Sequence, residues 1–375
     1  MKPEIFSEIG SIEKVFVYSP GEEHNLVLPK DIRPYLESDS SILPNEDFLL
    51  FDDLVDLDIA KSQHEMFIDV INFYKKDSCV NIRSDFQRII DSENIVNDYP
   101  LINLMYPRDI AVVIGKQIFL TSSSSKVRKA ENLITESYFR NNIIYQDCDI
   151  IDFKKINDKL SLEGGDIFVL NRDVVMIGIS ERTSLEAIEL IVPYIFEQTF
   201  KKVIAVNLPK ERAMMHLDTI FTQTSHNEAI MFNGKDYNIK ELEVFVATKG
   251  SNSNKMMKKN YKFFHVLKDF GFNLISCGGS ENNFMLREQL TDGANSFALE
   301  PGKIIMYSCN YNTIKDLEKN NYKHISSKSL YTDQLTFDKI LRSNSKVVIT
   351  IDGSELVKGR GGPRCMTLPI RRGNL

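Results

Sequence analysis

The chain has 375 residues, with 46 Lys and Arg against 52 Asp and Glu, and a formal net charge of −6. This balance gives no basic footprint for nucleic acid or an anionic membrane, and no apolar run approaches the ~20 residues of a membrane span. The five cysteines are scattered, odd in number and without paired spacing. That usage argues against a disulfide framework or a thiolate zinc site. We therefore expect a globular protein of the reducing cytoplasm, with neither nucleic acid nor membrane as a partner.

Strands and helices are predicted to recur in five units along the chain. The first has a strand, a helix, a second strand and a closing strand near the C-terminus, at Lys14–Tyr18, Leu57–Tyr74, Cys79–Ile82 and Lys346–Ile351. The second and third are hairpins followed by a helix and a strand. They comprise Ala111–Gly115, Gln117–Thr121, Ser125–Arg140 and Asn142–Tyr145, and then Asp166–Leu170, Val174–Ile179, Thr183–Gln198 and Lys202–Val206.

Two weaker copies of the same order complete the prediction. They comprise Thr219–Phe232, a helix near Lys255–Phe270 and the strand Asn273–Cys277, and then Ser296–Tyr307, a helix near Thr313–Asn320 and the strand Tyr322–Ser326. The polar stretches Ser251–Asn254 and Ser343–Ser345 are predicted to be loops. Five such units favour a mixed α/β architecture over one doubly wound sheet. Units that cannot bury their own faces must pack around a common axis, so we predict one domain spanning residues 1–375.

A glycine-rich segment near the C-terminus presents Cys365. No helix opens after this segment, so it is not a phosphate-binding loop, and Pro363 and Pro369 favour an extended backbone. Nearby cations would favour a thiolate, and they are Arg360, Arg371 and Arg372. The alternative is a buried structural cysteine.

Acidic residues and one histidine stand at the starts of three predicted hairpins. Glu163 precedes a Gly-Gly pair, which allows a sharp turn and the close approach of another group. His216 and Asp218 are two residues apart before an apolar strand, which puts both side chains on one face, and Asp109 ends an Arg-Asp pair. The alternatives are a surface loop, a hydrogen-bonded structural histidine and a structural ion pair, respectively.

These residues converge if the units share an axis. Several carboxylates in one pocket are costly unless a cation binds there. One histidine with scattered acids is a poor metal signature, whereas an organic cation such as a guanidinium forms paired hydrogen bonds with carboxylates.

Taken together, the motifs closely resemble the arginine deiminases, from about residue 7 to residue 372. The blocks that carry the resemblance are Ser7–Gly10, Ser19–Gly21, Leu49–Asp53, Tyr106–Asp109, Glu163–Asp166, Ile177–Thr183, His216–Thr219, Glu288–Asn295 and Gly359–Met366. The resemblance implies a five-bladed α/β propeller of the guanidine-modifying superfamily. The family's helical insertion would be reduced or absent, since only about residues 77–100 are available for it.

The resemblance also implies a reaction and a role for each site residue. Cys365 would attack the guanidinium carbon of free L-arginine, giving an S-alkylthiouronium intermediate, and His216 would act as the acid and then the base. The guanidinium would be held by Asp109, Glu163 and Asp218. The rest of the substrate would be bound by Arg128 and Arg182 at the carboxylate, Asn103 at the amino-acid end, Tyr106 along the stem and Arg360 as a mobile gate. The products would be citrulline and ammonia, with no metal or cofactor.

Two other functions stay open at this stage. The Tyr-Pro-Arg-Asp block contains Pro107 where the family has Phe-Thr-Arg-Asp, and a Pro-Arg-Asp block is typical of the related amidinotransferases, which pass the amidino group to an amine such as glycine. A non-catalytic binding role is the third hypothesis, against which the retained Cys365, His216 and acids argue. Because the helical insertion of the family would be reduced or absent, it stays open whether the chain forms a homo-oligomer.

Overall fold

The computed structural model describes residues 2–38, 41–250 and 255–375, so the predicted loop Ser251–Asn254 lies outside the described residues. Within these ranges the chain forms a mixed α/β fold whose strands are grouped in six sheets. One of the six is only a hairpin, Tyr35–Ser38 with Ser41–Pro44. The other sheets have three to five strands each, which agrees with the expected mixture of helices and strands.

The first sheet is built from both ends of the chain. Ile12–Val17 lies between Cys79–Asn81, to which it is parallel, and Leu368–Arg372, to which it is antiparallel. The prediction that Lys346–Ile351 closes this sheet is wrong, because that strand pairs within another sheet. Pro369 does not prevent pairing of the last strand, which lies at an edge of the sheet where a missing N–H is tolerated.

The second sheet confirms the first predicted hairpin. Its strands are Ala111–Ile114, Gln117–Leu120 and Ile150–Asp152, the last one parallel to the second. The predicted strand at Asn142–Tyr145 is wrong, because Ile143–Tyr145 is a short 3-10 helix. The Asn142 side chain accepts a hydrogen bond from the Ile144 N–H at 3.0 Å, and this local bond stabilises a turn instead of a strand.

The third sheet is larger than predicted. In spatial order its strands are Met257–Lys262, Glu243–Thr248, Lys202–Asn207, Val174–Ile179 and Ile167–Asn171. The first two are absent from the prediction, and the helix expected near residues 255–270 is confined to Phe263–Asp269. The strand at the edge is lysine-rich and mostly exposed, so it lacks the apolar alternation that indicates a strand.

The fourth and fifth sheets confirm the weaker predicted copies. The fourth contains Phe221–Ser225, Glu228–Met231 and Asn273–Ser276. The fifth contains Phe297–Glu300, Lys303–Tyr307, Lys346–Ile351 and Tyr322–Ser326. In both, an antiparallel hairpin is followed by a parallel partner for its second strand.

The helices cover the sheets and bury three apolar clusters between the layers. The predicted helix Leu57–Tyr74 is confirmed at both ends, and the Asp56 side chain caps it by accepting from the Ile59 N–H. A single helix, Arg83–Glu93, occupies the stretch left for the family's insertion. The other α-helices of the described residues are Lys129–Asn141, Phe153–Ile156, Leu185–Glu197, Phe263–Asp269, Asn282–Leu290, Tyr311–Lys319, Ser329–Thr332 and Gln334–Leu341. In the described ranges, no helix has the length and apolar character needed to cross a membrane.

Candidate active site

Three short 3-10 helices contain or adjoin the predicted acids and histidine of the site, and each directly precedes a hairpin. They span Pro107–Asp109, Gly164–Asp166 and Leu217–Thr219, and their residues are buried. The second packs against both of the others. Glu163 and His216 stand immediately before two of these helices. The segments that lead into three sheets therefore bring an imidazole and several carboxylates together.

The Gly-Gly pair permits this close packing. A Cβ atom at Gly164 would lie 2.1 Å from the carbonyl oxygen of Arg108, and one at Gly165 would lie 2.5 Å from Nδ1 of His216. Neither distance is tolerable for a larger residue. The prediction that these glycines let another group approach closely is therefore confirmed.

Cys365 lies beside this group, with its side chain 5% exposed. Its Sγ atom is 3.5 Å from Oδ2 of Asp218. Burial, followed by the charges of Asp218, Asp109 and Asp292, raises the pKa of the Cys365 thiol well above its ordinary value. A thiolate at this position therefore needs a nearby positive charge.

The arginines expected to supply that charge have other partners. Arg371 pairs with Glu13 at 2.7 Å, and Arg372 donates to the backbone carbonyl of Gly10 at 2.7 Å. Arg360 lies nearest to Asp52, at 3.7 Å. The prediction that Arg371 and Arg372 favour the thiolate is wrong, because both are held by other groups. For Arg360, which lines the same pocket as Cys365, it stays a prediction.

The imidazole of His216 lies between two carboxylates. Its Nε2 atom is 2.8 Å from Oε2 of Glu163, and its Nδ1 atom is 3.8 Å from Oδ1 of Asp109. Burial alone would lower the pKa of His216, but Asp109 and Glu163 raise it to about 10. Burial also opposes ionisation of Glu163, yet the hydrogen bond with His216 and the charge of Arg182 hold the pKa of Glu163 below its ordinary value. At neutral pH the pair is an imidazolium and a carboxylate.

Unused acceptor atoms mark this site as one for a cation. Oδ1 of Asp109 and Oδ1 of Asp218 are buried and have no hydrogen-bond partner. Ligand atoms of Asp109, Glu163 and His216 lie within 4.8 Å of one another, close enough for a metal ion. However, a metal at this position would have to displace the His216 proton that Asp109 and Glu163 stabilise. The free carboxylate oxygens suit a planar cation with several N–H donors better.

Arg128 is fully enclosed in the site and does not lie on a solvated helix face. It donates to Oδ2 of Asp109 at 2.9 Å, to Oε2 of Glu131 at 2.7 Å and to the carbonyl of Asn103 at 3.3 Å. Burial outweighs the attraction of Arg128 and raises the pKa of Glu131 to about 7. Asp109 therefore keeps one oxygen for Arg128 and one for a ligand.

Arg182 carries unused hydrogen-bonding capacity. Its Nε atom is buried without a hydrogen-bond partner, and its Nη1 atom is 3.9 Å from Oε1 of Glu163. Tyr106 donates to the carbonyl of Leu356 at 2.5 Å, so its ring is fixed against the pocket. Arg360 has a positive φ of 61°, a strained backbone for a residue with a side chain.

The structure brings nine of the ten predicted site residues into the lining of one pocket. The tenth, Asp218, lies behind the Cys365 sulfur. The enclosed part of the pocket has a volume of about 20 Å³, which is room for about one water molecule. The predicted residues in the lining are Asn103, Tyr106, Asp109, Arg128, Glu163, Arg182, His216, Arg360 and Cys365.

Some site residues have no predicted role. Leu50 and Met215 line the pocket, and Leu50 has a positive φ of 68°. Asn295 contacts the Cys365 sulfur, with Nδ2 at 3.1 Å. The only sequence signal for Asn295 is its place in the block Glu288–Asn295, which resembles the family without indicating a function.

Comparison with solved structures defines the class of the fold. The N-terminal domain of ArgZ, an arginine dihydrolase from cyanobacteria, matches with a TM-score of 0.59 at 14% identity, covering 96% of this chain and 98% of that one. A dimethylarginine dimethylaminohydrolase matches with a TM-score of 0.55 at 17% identity, covering 95% and 99%. The amidinotransferase SxtG from Microseira wollei matches with a TM-score of 0.55 at 12% identity, covering 100% and 98%. The chain has the mixed α/β fold of guanidine-modifying enzymes.

Sequence comparison then defines the family. The arginine deiminase family profile matches residues 81–372. The arginine deiminase of Borrelia recurrentis is 31% identical over 434 residues, covering 99% of this chain and 98% of the relative. That of Listeria innocua is 28% identical over 440 residues, with 99% and 98% covered. The chain therefore belongs to the arginine deiminase family of enzymes, and the resemblance drawn from its motifs is confirmed.

Proposed function

We propose that this protein hydrolyses the guanidinium group of free L-arginine to L-citrulline and ammonia. The observation that carries the proposal is the convergence of Cys365, His216 and three carboxylates around one small, buried pocket. Membership of the arginine deiminase family supports the same reaction. The proposed domain is a single catalytic unit spanning residues 1–375.

The acids hold and orient the guanidinium. Asp109 and Asp218 each offer a buried oxygen without a partner, and Glu163 adds a third carboxylate beside His216. Paired hydrogen bonds to these groups fix the plane of the cation, so that its central carbon faces the sulfur of Cys365.

Substrate binding also activates the nucleophile. The buried carboxylates raise the pKa of the Cys365 thiol, and a bound guanidinium opposes them with a positive charge. The thiolate then adds to the guanidinium carbon. The C–N bond to the leaving nitrogen breaks, and ammonia departs with the proton of His216.

The second half of the reaction releases citrulline. The neutral imidazole of His216 takes a proton from a water molecule, whose oxygen adds to the carbon of the S-alkylthiouronium intermediate. The C–S bond then breaks and its electron pair returns to Cys365. The nucleophile, acid and acceptors are all side chains, so the proposed reaction uses no metal or cofactor.

The amino-acid end of arginine lies toward two buried guanidinium groups. Arg182 has a donor without a partner, and Arg128 keeps further N–H groups beside its bonds to Asp109 and Glu131. We assign both to the substrate carboxylate. Asn103 binds near the amino-acid end, Tyr106 lines the aliphatic stem, and Arg360 serves as the gate; these three also line the pocket.

The five larger sheets are proposed to be the blades of an α/β propeller. The short helices Pro107–Asp109 and Leu217–Thr219, which precede two of these sheets, both pack against Gly164–Asp166, which precedes a third. All five cysteines are free thiols, which supports a cytoplasmic, reducing compartment.

The amidinotransferase alternative rests on Pro107, which the structure explains locally. Pro107 occupies the first turn of the 3-10 helix Pro107–Asp109, where its missing N–H has no intrahelical partner to lose. This position accounts for the proline without a transferase function.

Incubation with L-arginine alone tests the proposal. We expect equal amounts of citrulline and ammonia without an added amine, and at least a ~1000-fold loss of kcat in Cys365→Ser. Cys309→Ser, at an exposed thiol, is the matched control and should keep full activity. Ornithine formed only in the presence of an acceptor amine, or unchanged turnover by Cys365→Ser, would contradict the proposal.

A further inference from the structure

Asn295 contacts the Cys365 sulfur and is fully buried. Its Nδ2 atom lies 3.1 Å from Sγ of Cys365 and 3.3 Å from the backbone carbonyl of Asp218. Its Oδ1 atom lies 3.0 Å from the backbone nitrogen of Arg364 and 3.3 Å from that of Cys365. The side-chain amide of Asn295 thus contacts the Cys365 sulfur, the backbone of Arg364 and Cys365, and the backbone of Asp218.

The surrounding groups determine which way this amide points. The two backbone N–H groups at Arg364 and Cys365 can only donate, so they must face the Oδ1 acceptor. The carbonyl of Asp218 can only accept, so it takes one Nδ2 hydrogen. The other Nδ2 hydrogen is left for the sulfur. A reversed amide would oppose donors to donors and leave buried groups unsatisfied.

We propose that Asn295 is a catalytic residue, which donates a fixed hydrogen bond to the sulfur of Cys365 and holds the thiolate in its attacking position. This inference rests on the proposed role of Cys365 as the nucleophile. Asn295 contacts the reacting atom itself, and no charge accompanies its donor.

A neutral donor answers a specific electrostatic problem. The charges of Asp218, Asp109 and Asp292 act against ionisation of the Cys365 thiol. The adjacent Arg364 guanidinium is engaged by Glu8 and Asp218 at 2.8 and 2.9 Å. A cationic donor at the position of Asn295 would compete with arginine for the carboxylates, whereas an amide does not. Thiolates accept stronger hydrogen bonds than thiols. His216 and Arg360 line the same pocket as the thiol, and the phenols of Tyr106 and Tyr307 interact with it electrostatically.

The backbone around Asn295 is shaped to hold the amide in place. A Cβ atom at Gly362 would lie 2.6 Å from Oδ1 of Asn295, so only glycine leaves room for the amide there. The backbone N–H of Asn295 donates to the backbone carbonyl of Asp292 at 2.9 Å. Asp292 has a positive φ of 59°. A larger residue is therefore excluded at Gly362, next to the side-chain amide, and the backbone is left-handed at Asp292, which accepts from the Asn295 backbone.

Two substitutions at Asn295 test the hydrogen bond. Asn295→Asp keeps the shape but replaces the donor with a charge, and Asn295→Ala removes the donor without adding one. We expect the pH midpoint of alkylation of Cys365 by iodoacetamide, followed by mass spectrometry of its peptide, to rise in both, and more in Asn295→Asp. We also expect kcat for arginine to fall about 10-fold to 100-fold, as for a lost hydrogen bond to a charged group, with KM changed much less.

Asn310→Asp is the matched control. Asn310 is also fully buried, and its Nδ2 atom donates to the carbonyl of Thr291 at 2.9 Å in the same loop, without contact with the sulfur. The same chemical change there should leave the alkylation midpoint at its wild-type value. Thermal unfolding identifies variants that do not fold. Asn295→Ser replaces an Asn295 variant that fails to fold.

Two results would overturn the inference. One is an unchanged alkylation midpoint with unchanged kcat in folded Asn295 variants, and the other is an equal shift in Asn310→Asp, which would point to loop structure alone. Failure of the nucleophile assignment is seen separately, as turnover retained by Cys365→Ser, because the alkylation midpoint does not depend on turnover.

Discussion

The charges buried around the thiol favour different protonation states in neighbouring side chains. Asp109 and Glu163 raise the pKa of His216 to about 10 against the effect of burial. Negative charges of the same site, together with burial, raise the pKa of the Cys365 thiol. These charges therefore favour an imidazolium and a neutral thiol at pH 7. In the proposed reaction this imidazolium is the acid of the first step, and a bound arginine cation would favour the thiolate.

Removing the charge of Glu163 is predicted to weaken this acid. In Glu163→Gln, the pKa of His216 should fall, because the imidazolium loses one of the carboxylates that stabilise it. The alkaline limb of the pH profile of kcat should then move to lower pH by about one unit or more. Glu181→Gln, at an exposed residue 3.8 Å from Arg182, is the control. An alkaline limb that stays in place in Glu163→Gln would refute the coupling.

The identities of the reactive residues could be predicted from their motifs, but their electrostatic environment could not. Cys365, His216 and the acids stand in blocks with characteristic neighbours, and the structure places them together. The expected help from Arg371 and Arg372 was wrong, since each is held elsewhere by a tertiary contact. Closeness along the chain says little about which way a long side chain turns.

Short helices at the entrances of hairpins are linked by one arginine. Arg364, which is 1% exposed, donates to Oε1 of Glu8 at 2.8 Å, to Oδ2 of Asp218 at 2.9 Å and to the carbonyl of Ile167 at 2.7 Å. Its guanidinium also lies 3.8 Å from the centre of the Phe168 ring. Arg364 thus connects the N-terminal segment, two entrance segments and the loop that carries the nucleophile.

Loss of this arginine is predicted to destabilise the fold. Arg364→Met would leave the carboxylates of Glu8 and Asp218 buried without their cation, which costs about 3–5 kcal/mol of unfolding free energy. Urea unfolding followed by circular dichroism measures the loss. Arg88→Met, at a side chain 77% exposed and paired with Asp85 at 3.2 Å, should change stability by no more than about 0.5 kcal/mol. Equal effects of the two substitutions would show that the buried network is not stabilising.

The two ends of the chain meet in one sheet. Leu368–Arg372 pairs with Ile12–Val17, and it begins three residues after the proposed nucleophile Cys365. This pairing fixes the C-terminal side of the glycine-rich loop, while the Asn295 amide holds the loop from within. The position of the sulfur therefore depends on contacts that span almost the whole chain.

Deletion of the last strand is predicted to abolish turnover. A chain that lacks residues 368–375 would expose an edge of the first sheet and release the loop that holds Cys365. We expect a lower thermal midpoint and no citrulline formation. Deletion of residues 374–375 alone retains the bond from the Gly373 N–H to the carbonyl of Ser11 at 2.7 Å and should leave both unchanged. A normal midpoint in the longer deletion would contradict the role given to this strand.

By itself the sequence determined the mixed α/β class, most hairpins, the family and the residues proposed to carry the chemistry. Those features are recorded locally, in apolar periodicity and in short motifs. Only the tertiary structure decided that Leu368–Arg372 closes the first sheet, that Arg128 pairs with Asp109, and that Asn295 contacts the Cys365 sulfur across 70 positions of the chain. Such contacts depend on how distant segments pack, and neither apolar periodicity nor a short motif in a single sequence indicates them. The excess of acids over bases said nothing about function until packing gathered a few of them around one thiol.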